Sequence, residues 1–440
     1  MPKILLITVG GSYQPIVTAI RELEPDQVLF ICSEDSRSQV IGSGTPCERR
    51  RGPEVLERLP NIPTQLSLGD RFQPDRDLLV LEDLDNLSEC YRAIADRIRT
   101  LRQDAGDETR LLADYTGGTK TMSVALAMAS IDSGIEAIYV TTGQRRDLIR
   151  IEFGEQVERA STASIVIERL VEQNLPALLA QYNYPAAINE LKSLLKQNLP
   201  TTDRKRVRSL LNYCIGFDYW DRFDHAAAWN YLEPALRQAK LKPVILFLKR
   251  VMHSREQFAP AANDHFQAPS VMQGHGYELV QDLLLNAERR AVLERYDDAV
   301  ARLYRTLELL AQIRLWAGYG LKTSDLDVAK LPESLRAEYE NLRSPRGAIQ
   351  LGLTRSYVLL SQLPDEPLGA LYHQHHQRLQ NALQVRNYSL FAHGLAPIDA
   401  AKYEQEFRTL VVPFLEAGIT NLVPDANPAT QFPLAFQAVF

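Results

Sequence analysis

A chain of 440 residues exceeds what one hydrophobic core usually organises, so two or three domains are expected. With 45 % hydrophobic and 24 % charged residues it reads as an ordinary soluble globular protein. A formal net charge of -6 excludes a broadly basic nucleic-acid coat but leaves room for a local basic cleft. Cys32, Cys47, Cys90 and Cys214 form neither a CxxC pair nor a Cys/His zinc spacing, and they read as reduced thiols. The opening run Met1-Pro2-Lys3-Ile4-Leu5-Leu6 is too short for a signal peptide, and no stretch approaches ~20 apolar residues. A cytoplasmic protein that does not engage membranes is expected.

Strand and helix signals alternate over the first ~150 residues. Lys3 to Val9 is a β-rich apolar run that stops at Gly10-Gly11, and Pro15 to Leu23 reads as a helix. Gln27 to Cys32 is a second strand, followed by what reads as a polar loop, Ser33-Glu34-Asp35-Ser36. Leu78 to Leu81 is a short strand and Leu87 to Leu101 a helix. Arg110 to Tyr115 is a strand, Thr119 to Ser133 a helix and Ala137 to Thr142 a strand. Near-continuous apolar strands separated by helices predict a mostly parallel, Rossmann-like α/β sheet covered on both faces, with its ligand at the carboxyl ends of the strands.

Beyond about residue 160 the pattern becomes all-α. Ile165 to Gln197 and Arg204 to Lys240 carry helical periodicity. Arg255 to Gly276, rich in Pro, Ala, Asn, Gln and Gly, reads as a linker. Tyr277 to Ala317 is a long helical stretch with a break near Arg295-Tyr296, and Leu371 to His393 is a further helix ended by Gly394 and Pro397. Tyr184-Pro185-Ala186-Ala187 and Tyr296-Asp297-Asp298-Ala299 share a Tyr-x-x-Ala pattern without a sustained repeat period. Residues 420–440 carry no assignable pattern.

Two loops of the N-terminal region carry ligand chemistry. One is Gly10-Gly11-Ser12-Tyr13-Gln14-Pro15; the other is Asp114-Tyr115-Thr116-Gly117-Gly118-Thr119-Lys120-Thr121. Their glycines let a ligand approach the backbone, and the helix that follows each loop offers free N–H groups to phosphate. Thr116, Thr119 and Thr121 add hydroxyls and Lys120 a cation. Neither loop is a nucleotide-hydrolase or dinucleotide fingerprint. The GxxxxGK[ST] spacing fails at Ala113, and GxGxxG fails at Ser12 and Pro15.

In the C-terminal region the candidate chemistry is Arg386, Asn387 and His393. On a helix turning about 100° per residue, positions 386 and 393 return to within ~20° of one direction, so both side chains would share a face. Histidine can move protons near neutral pH and arginine can hold a phosphate and the charge that builds on it. Asn387 could bind substrate or orient the histidine, and the helix dipole would favour a protonated His393. One Arg/His pair is sparse, so a second copy from a dimer mate is expected. His373, His375 and His376 lack partnering carboxylates and read as a polar helix face rather than a metal site. Arg305 and Glu308, among Leu303, Leu307, Leu309 and Leu310, read as solvated charge beside core.

Taken together, Gly10-Gly11-Ser12 with Gln14, and Asp114 through Met122, resemble the ligand loops of a CARF domain. Arg386-Asn387, then five residues, then His393 resembles the R-x(4–6)-H motif of a HEPN nuclease. The stretch Tyr296 to Arg305 resembles a HEPN helix of one CRISPR-associated subgroup. In this order the chain resembles the CARF–HEPN ribonucleases of type III CRISPR antiviral systems, over residues 1–160 and 270–400. The resemblance implies a CARF ligand-sensing domain at 1–160, a helical connector at 161–265 and a HEPN domain at 266–440. It implies a homodimer whose paired CARF domains bind cyclic oligoadenylate across their interface through Gly10, Gly11, Ser12, Gln14, Asp114, Thr116, Gly117, Gly118, Thr119, Lys120 and Thr121. It implies a composite site, with Arg386, Asn387 and His393 from each chain, that cuts single-stranded RNA without metal or other cofactor and leaves a 2′,3′-cyclic phosphate. DNA is not an expected partner. Some CARF domains cleave their own activator; Ser12, Thr116 and Lys120 are the candidates for that here. A sensor with an inactive HEPN region, and a ring nuclease acting on the messenger alone, are the alternative readings.

Overall fold

The computed structural model describes residues 2–51, 54–105, 109–135, 137–146, 150–160, 162–197, 199–262 and 274–436. The chain divides into two compact units. One comprises Met1–Arg169 with Lys196–Asp203; the other comprises Leu170–Leu195 with Arg204–Phe440.

The first unit runs β1 (Lys3–Thr8), α1 (Gln14–Leu23), β2 (Gln27–Ser33), α2 (Glu34–Ile41), β3 (Cys47–Arg51), β4 (Glu54–Leu59), α3 (Ile62–Gln65), α4 (Pro74–Asp77), β5 (Leu78–Leu81), α5 (Leu87–Ala105), β6 (Arg110–Asp114), α6 (Lys120–Asp132), β7 (Ala137–Arg146), β8 (Arg150–Arg159) and α7 (Ala163–Arg169). Six strands form one sheet in the order β5-β2-β1-β6-β7-β8. The first five in that order run parallel; β8 is antiparallel to β7. Alternation along β1 serves two cores. Leu5 and Ile7 pack with Ile16, Val17 and Ile20 of α1, whereas Ile4 and Leu6 pack with Ile94 and Ile98 of α5 and Leu126 and Ala129 of α6. A Rossmann-like sheet covered on both faces is what the apolar strand runs demand.

Three elements differ from the sequence reading. Ser33 to Ser36 is not a loop but the start of α2: the Ser33 hydroxyl accepts from the Ser36 N–H at 3.2 Å, and the Ser36 hydroxyl accepts from the Ser33 N–H at 3.1 Å. The hairpin β3–β4 and the edge strand β8 are additional. Both are so rich in Arg and Glu that they carry little apolar signal, as suits strands at an edge.

The second unit is helical: α8 (Leu175–Ala180), α9 (Tyr184–Leu195), α10 (Thr201–Asp221), α11 (His225–Leu232), α12 (Lys242–Ala262), α13 (Glu278–Val292), α14 (Tyr296–Tyr319), α15 (Glu333–Glu340), α16 (Leu353–Gln362), α17 (Pro367–Asn387) and α18 (Thr409–Leu422). The expected break at Arg295 is present, and both Tyr-x-x-Ala tyrosines open a helix. The expected linker is in part helix, because α12 continues to Ala262; residues 263–273 of that stretch lie outside the described residues. Residues 423–436, unassigned from sequence, fold back onto the helices. Phe432 packs its ring against Phe217 and Trp220, and Gln431 accepts a hydrogen bond from Arg289 at 2.7 Å. No described helix is long and apolar enough to cross a membrane.

Candidate functional site

In the sheet unit, β1 leads to α1 and β6 to α6, and β1 and β6 are neighbours at the centre of the sheet. From β1 the chain moves outward to β2 on one side, and from β6 to β7 on the other. This is the topological switch point, where the loops after two adjacent strands diverge and leave a crevice. The two candidate loops are the ones that leave this point. They also touch: a Cβ on Gly10 would lie 2.4 Å from the Gly118 nitrogen, and one on Gly117 would lie 2.2 Å from the Thr8 carbonyl oxygen. Glycine is therefore required because backbone meets backbone here, and at Gly118 also because φ is +82°.

Local bonds then lock the cradle. The Gly10 carbonyl accepts from Gln39 Nε2 at 2.8 Å, and the Gly117 carbonyl from the Ser123 hydroxyl at 3.0 Å. Thr119 caps α6, its hydroxyl accepting from the Met122 N–H at 3.2 Å. Thr116 Oγ1 accepts from the Thr141 N–H at 2.6 Å. Thr116 and Thr119 thus serve the loop's own shape first. Ser12, Gln14 and Thr121 are half-buried at the crevice. Lys120 is exposed at the first turn of α6 and takes no ion-pair partner among the described residues.

Asp114 sits beneath the loop rather than in it. It is fully buried; its Oδ1 accepts from the Thr116 N–H at 2.9 Å, and its Oδ2 has no hydrogen-bond partner among the described residues. Burial pushes its carboxyl up to about 6, against the pull of the polar groups of Thr116 and Thr141 beside it.

In the helical unit, α13, α14, α16, α17 and α18 share one core that includes Leu284, Leu303, Leu310, Tyr357, Leu371 and Phe414. The start of α17 is fixed by buried Glu366. Its carboxylate accepts from the Leu368 N–H at 3.1 Å, from Arg314 Nη2 at 2.7 Å and from the Tyr319 hydroxyl at 2.6 Å. That anchor ties α17 to α14.

At the other end of α17 the structure corrects the sequence reading. Arg386 and His393 do not share a helix face, because α17 stops at Asn387 with Tyr388 as its C-cap. The chain instead turns sharply. The Ser389 N–H reaches the Arg386 carbonyl at 3.0 Å, the His393 N–H the Asn387 carbonyl at 3.3 Å and the Gly394 N–H the Ser389 carbonyl at 3.2 Å. A Cβ on Gly394 would lie 1.9 Å from the Tyr388 oxygen, so the turn closes only with glycine there. Asp297, at the start of α14, then captures the Ile398 N–H at 3.0 Å. These bonds outcompete another turn of helix, and His393 comes from the exposed turn rather than from the end of a helix. No helix dipole acts on it in the way the spacing argument supposed.

Arg386 is half-buried. Its Cζ lies 4.3 Å from the centroid of the Tyr304 ring, on α14, and its Nη1 is 3.4 Å from Asn387 Oδ1. Tyr304 lies within the stretch Tyr296 to Arg305 that resembles a HEPN helix, but nothing in its spacing ties it to Arg386. Around the motif, Tyr388, Leu390, Phe391 and Leu395 are 60–87 % exposed, an apolar group that solvent alone does not favour. His373 and His376 stack on the exposed face of α17, and among the described residues no His, Cys, Asp and Glu group could hold a metal ion.

Comparison with known proteins places both units. Residues 268–417 match the family model of the Csm6 HEPN domain, a span that contains Tyr304, Arg386, Asn387 and His393. Among solved structures, Enterococcus italicus Csm6 bound to cyclic hexa-2'-fluoro-hexa-dAMP is similar with a TM-score of 0.60 at 11 % identity, over 96 % of this chain and 94 % of that chain. At that identity the likeness establishes the fold. Can2 from Sulfobacillus thermosulfidooxidans in complex with cyclic tetra-adenylate matches 73 % of this chain and 70 % of that one at 12 % identity, with a TM-score of 0.21, too low to establish a shared fold. No curated protein matches the sequence. The domain match and the fold bear out the resemblance to CARF–HEPN proteins of type III CRISPR systems.

Proposed function

We propose that this chain, with its Rossmann-like sheet unit and a helical unit that matches the Csm6 HEPN domain, is a cyclic-oligoadenylate-activated endoribonuclease that works as a homodimer on single-stranded RNA. One observation carries the reading: Arg386, Asn387 and His393 fall inside the HEPN match of a chain whose other unit brings two glycine loops together at its switch point. The domains are then 1–160 for sensing, 161–265 for connection and 266–440 for cleavage.

In the sensor, the N–H groups at the starts of α1 and α6, with Ser12, Gln14, Thr121 and Lys120, face the phosphates and riboses of the ring. Gly11, open on its Cβ side, gives the ligand its close approach, while Gly10, Gly117 and Gly118 let the two loops meet and Thr116, Thr119 and Asp114 hold the loop in shape. Val124 and Met128, exposed one turn apart on α6, offer an apolar strip for the partner sensor. The exposed group at Tyr388, Leu390, Phe391 and Leu395 does the same for the HEPN pair, which brings two Arg386–His393 sets together.

Cleavage in this reading is a transesterification. The ribose 2′-oxygen attacks phosphorus and gives its proton to one His393, while the bond from phosphorus to the 5′-oxygen breaks. The leaving oxygen takes a proton from the other His393, and a 2′,3′-cyclic phosphate and a 5′-hydroxyl result. Arg386 binds the phosphate oxygens on which charge builds. Protein groups supply each step, so chelators should not stop it.

The test is cleavage of labelled single-stranded RNA with and without cyclic tetra- or hexa-adenylate, in the presence of EDTA. Wild type should cut only with the activating ring, and His393→Ala should lose at least about 100-fold, the scale of a general acid–base contribution. Equal cleavage by the two proteins would remove His393 from the site. Consumption of the ring with intact RNA, abolished by Lys120→Ala, would make the chain a ring nuclease instead.

A further inference from the structure

We propose that Tyr304 is the positioning residue that presents the Arg386 guanidinium to the RNA phosphate; this rests on the ribonuclease reading above. Arginine ends a long side chain, and an unrestrained one must be ordered each time substrate binds. Here the guanidinium carbon lies 4.3 Å from the centroid of the Tyr304 ring, within cation–π range. The choice of partner matters. A carboxylate would take up the in-plane N–H donors that a phosphate needs, whereas an aromatic ring takes only the π face; the donor edge of Arg386 carries only the long 3.4 Å contact of Nη1 to Asn387 Oδ1. Among the described residues Arg386 forms no ion pair, and α17, Pro367–Asn387, contains no Asp or Glu. Arg314 shows the alternative: although it too lies over a ring, that of Tyr319, its Nε and Nη2 are taken up by buried Glu366, and it acts as a structural clamp.

Tyr304 is well placed to hold a cation still. It lies mid-helix on α14, between Leu303 and Leu307, both buried in the core. Glu308 follows it one turn on along α14. Burial first, and then the charge of Glu308, raises the phenol above its ordinary value, so the ring stays neutral. Glu308 is held in turn by Arg305 at 3.4 Å.

The experiment uses the full-length protein with its activating ring. Tyr304→Phe should stay within about 3-fold of wild type, and Tyr304→Leu should lower kcat about 10- to 100-fold with KM for RNA and activator affinity unchanged. In an Arg386→Lys background, Tyr304→Leu should cost nothing further, because the planar stack is already gone. An equal loss in both backgrounds, or a loss matched by a fall in Tm, would mean that Tyr304 only supports the fold. A second readout does not depend on turnover: the Arg386 Nε–H resonance should show a ring-current shift in wild type and in Tyr304→Phe. Absence of that shift in wild type overturns the contact. A wild type that cuts no RNA with any ring overturns the ribonuclease reading and this proposal together; an active wild type with a fully active Tyr304→Leu overturns this proposal alone.

Discussion

The glycine cradle of the sheet unit and the Arg386–His393 turn of the helical unit are built on opposite terms. The cradle is closed by its own backbone: Gly10 abuts Gly118, Gly117 abuts Thr8, and Gln39, Ser123 and Thr119 tie the loop ends down. The turn is closed by backbone too, but Tyr388, Leu390, Phe391 and Leu395 around it remain exposed, Leu395 at 87 %. A loop whose bonds are satisfied within one chain is a preorganised receptor. A motif wrapped in uncovered apolar side chains is half of something. The contrast leads to the proposal that each sensing loop is preformed within one copy before the sensors pair, while the cleavage site is assembled only by pairing.

The largest expected effect tests that contrast directly. Phe391→Glu with Leu395→Glu places two charges in the group taken to be covered by the partner. RNA cleavage should fall at least about 100-fold, because a buried unpaired charge is costly at an interface. Affinity of the sheet unit for the ring, read by calorimetry, should change little. If sedimentation shows an unchanged dimer with full activity, the exposed group has another use.

Much of the sensor was legible because its signals are local. Apolar runs name the strands, and glycine followed by a helix start names the loops. What escaped was charged or mutual. The hairpin Cys47–Arg51 with Glu54–Leu59, and the edge strand Arg150–Arg159, lack the apolar runs that mark buried strands. Ser33 was misread because a capping box and a polar loop share a composition. The HEPN residues were identified by type and order, but their geometry was not, since periodicity cannot show where Ser389, Gly394 and Asp297 draw the chain out of the helix. The Tyr304–Arg386 contact spans 82 positions and leaves no local trace.

A middle-sized effect is expected at the cradle. In Gly117→Ala the new Cβ would meet the Thr8 carbonyl at 2.2 Å and the Gly10 nitrogen at 3.2 Å, and neither backbone atom can swing away as a side chain would. Overpacking of this kind costs about 1–3 kcal/mol. Denaturant unfolding of the sheet unit should show that loss. Ring affinity should fall at least about 10-fold because the ligand meets a displaced loop. Unaltered stability and affinity would mean that the two loops are not in contact.

The smallest effect concerns Asp114, under the same loop. Its carboxyl is raised to about 6 in the fold, by burial, from an unfolded value near 3.8. An acid with a raised folded value binds more protons folded than unfolded, so its contribution falls as pH rises. The cost is absent below about pH 4, grows through the interval and is complete above about pH 6, reaching at most about 3 kcal/mol. Asp114→Asn keeps an oxygen for the Thr116 N–H and removes the titration. Compared by urea unfolding at about pH 4.5 and about pH 7, the variant should gain on wild type at the higher pH. The Arg386–His393 turn, in the other unit, should ignore the change. Parallel pH profiles for the two proteins would mean that water reaches the Asp114 carboxylate and that the cradle floor is not dry.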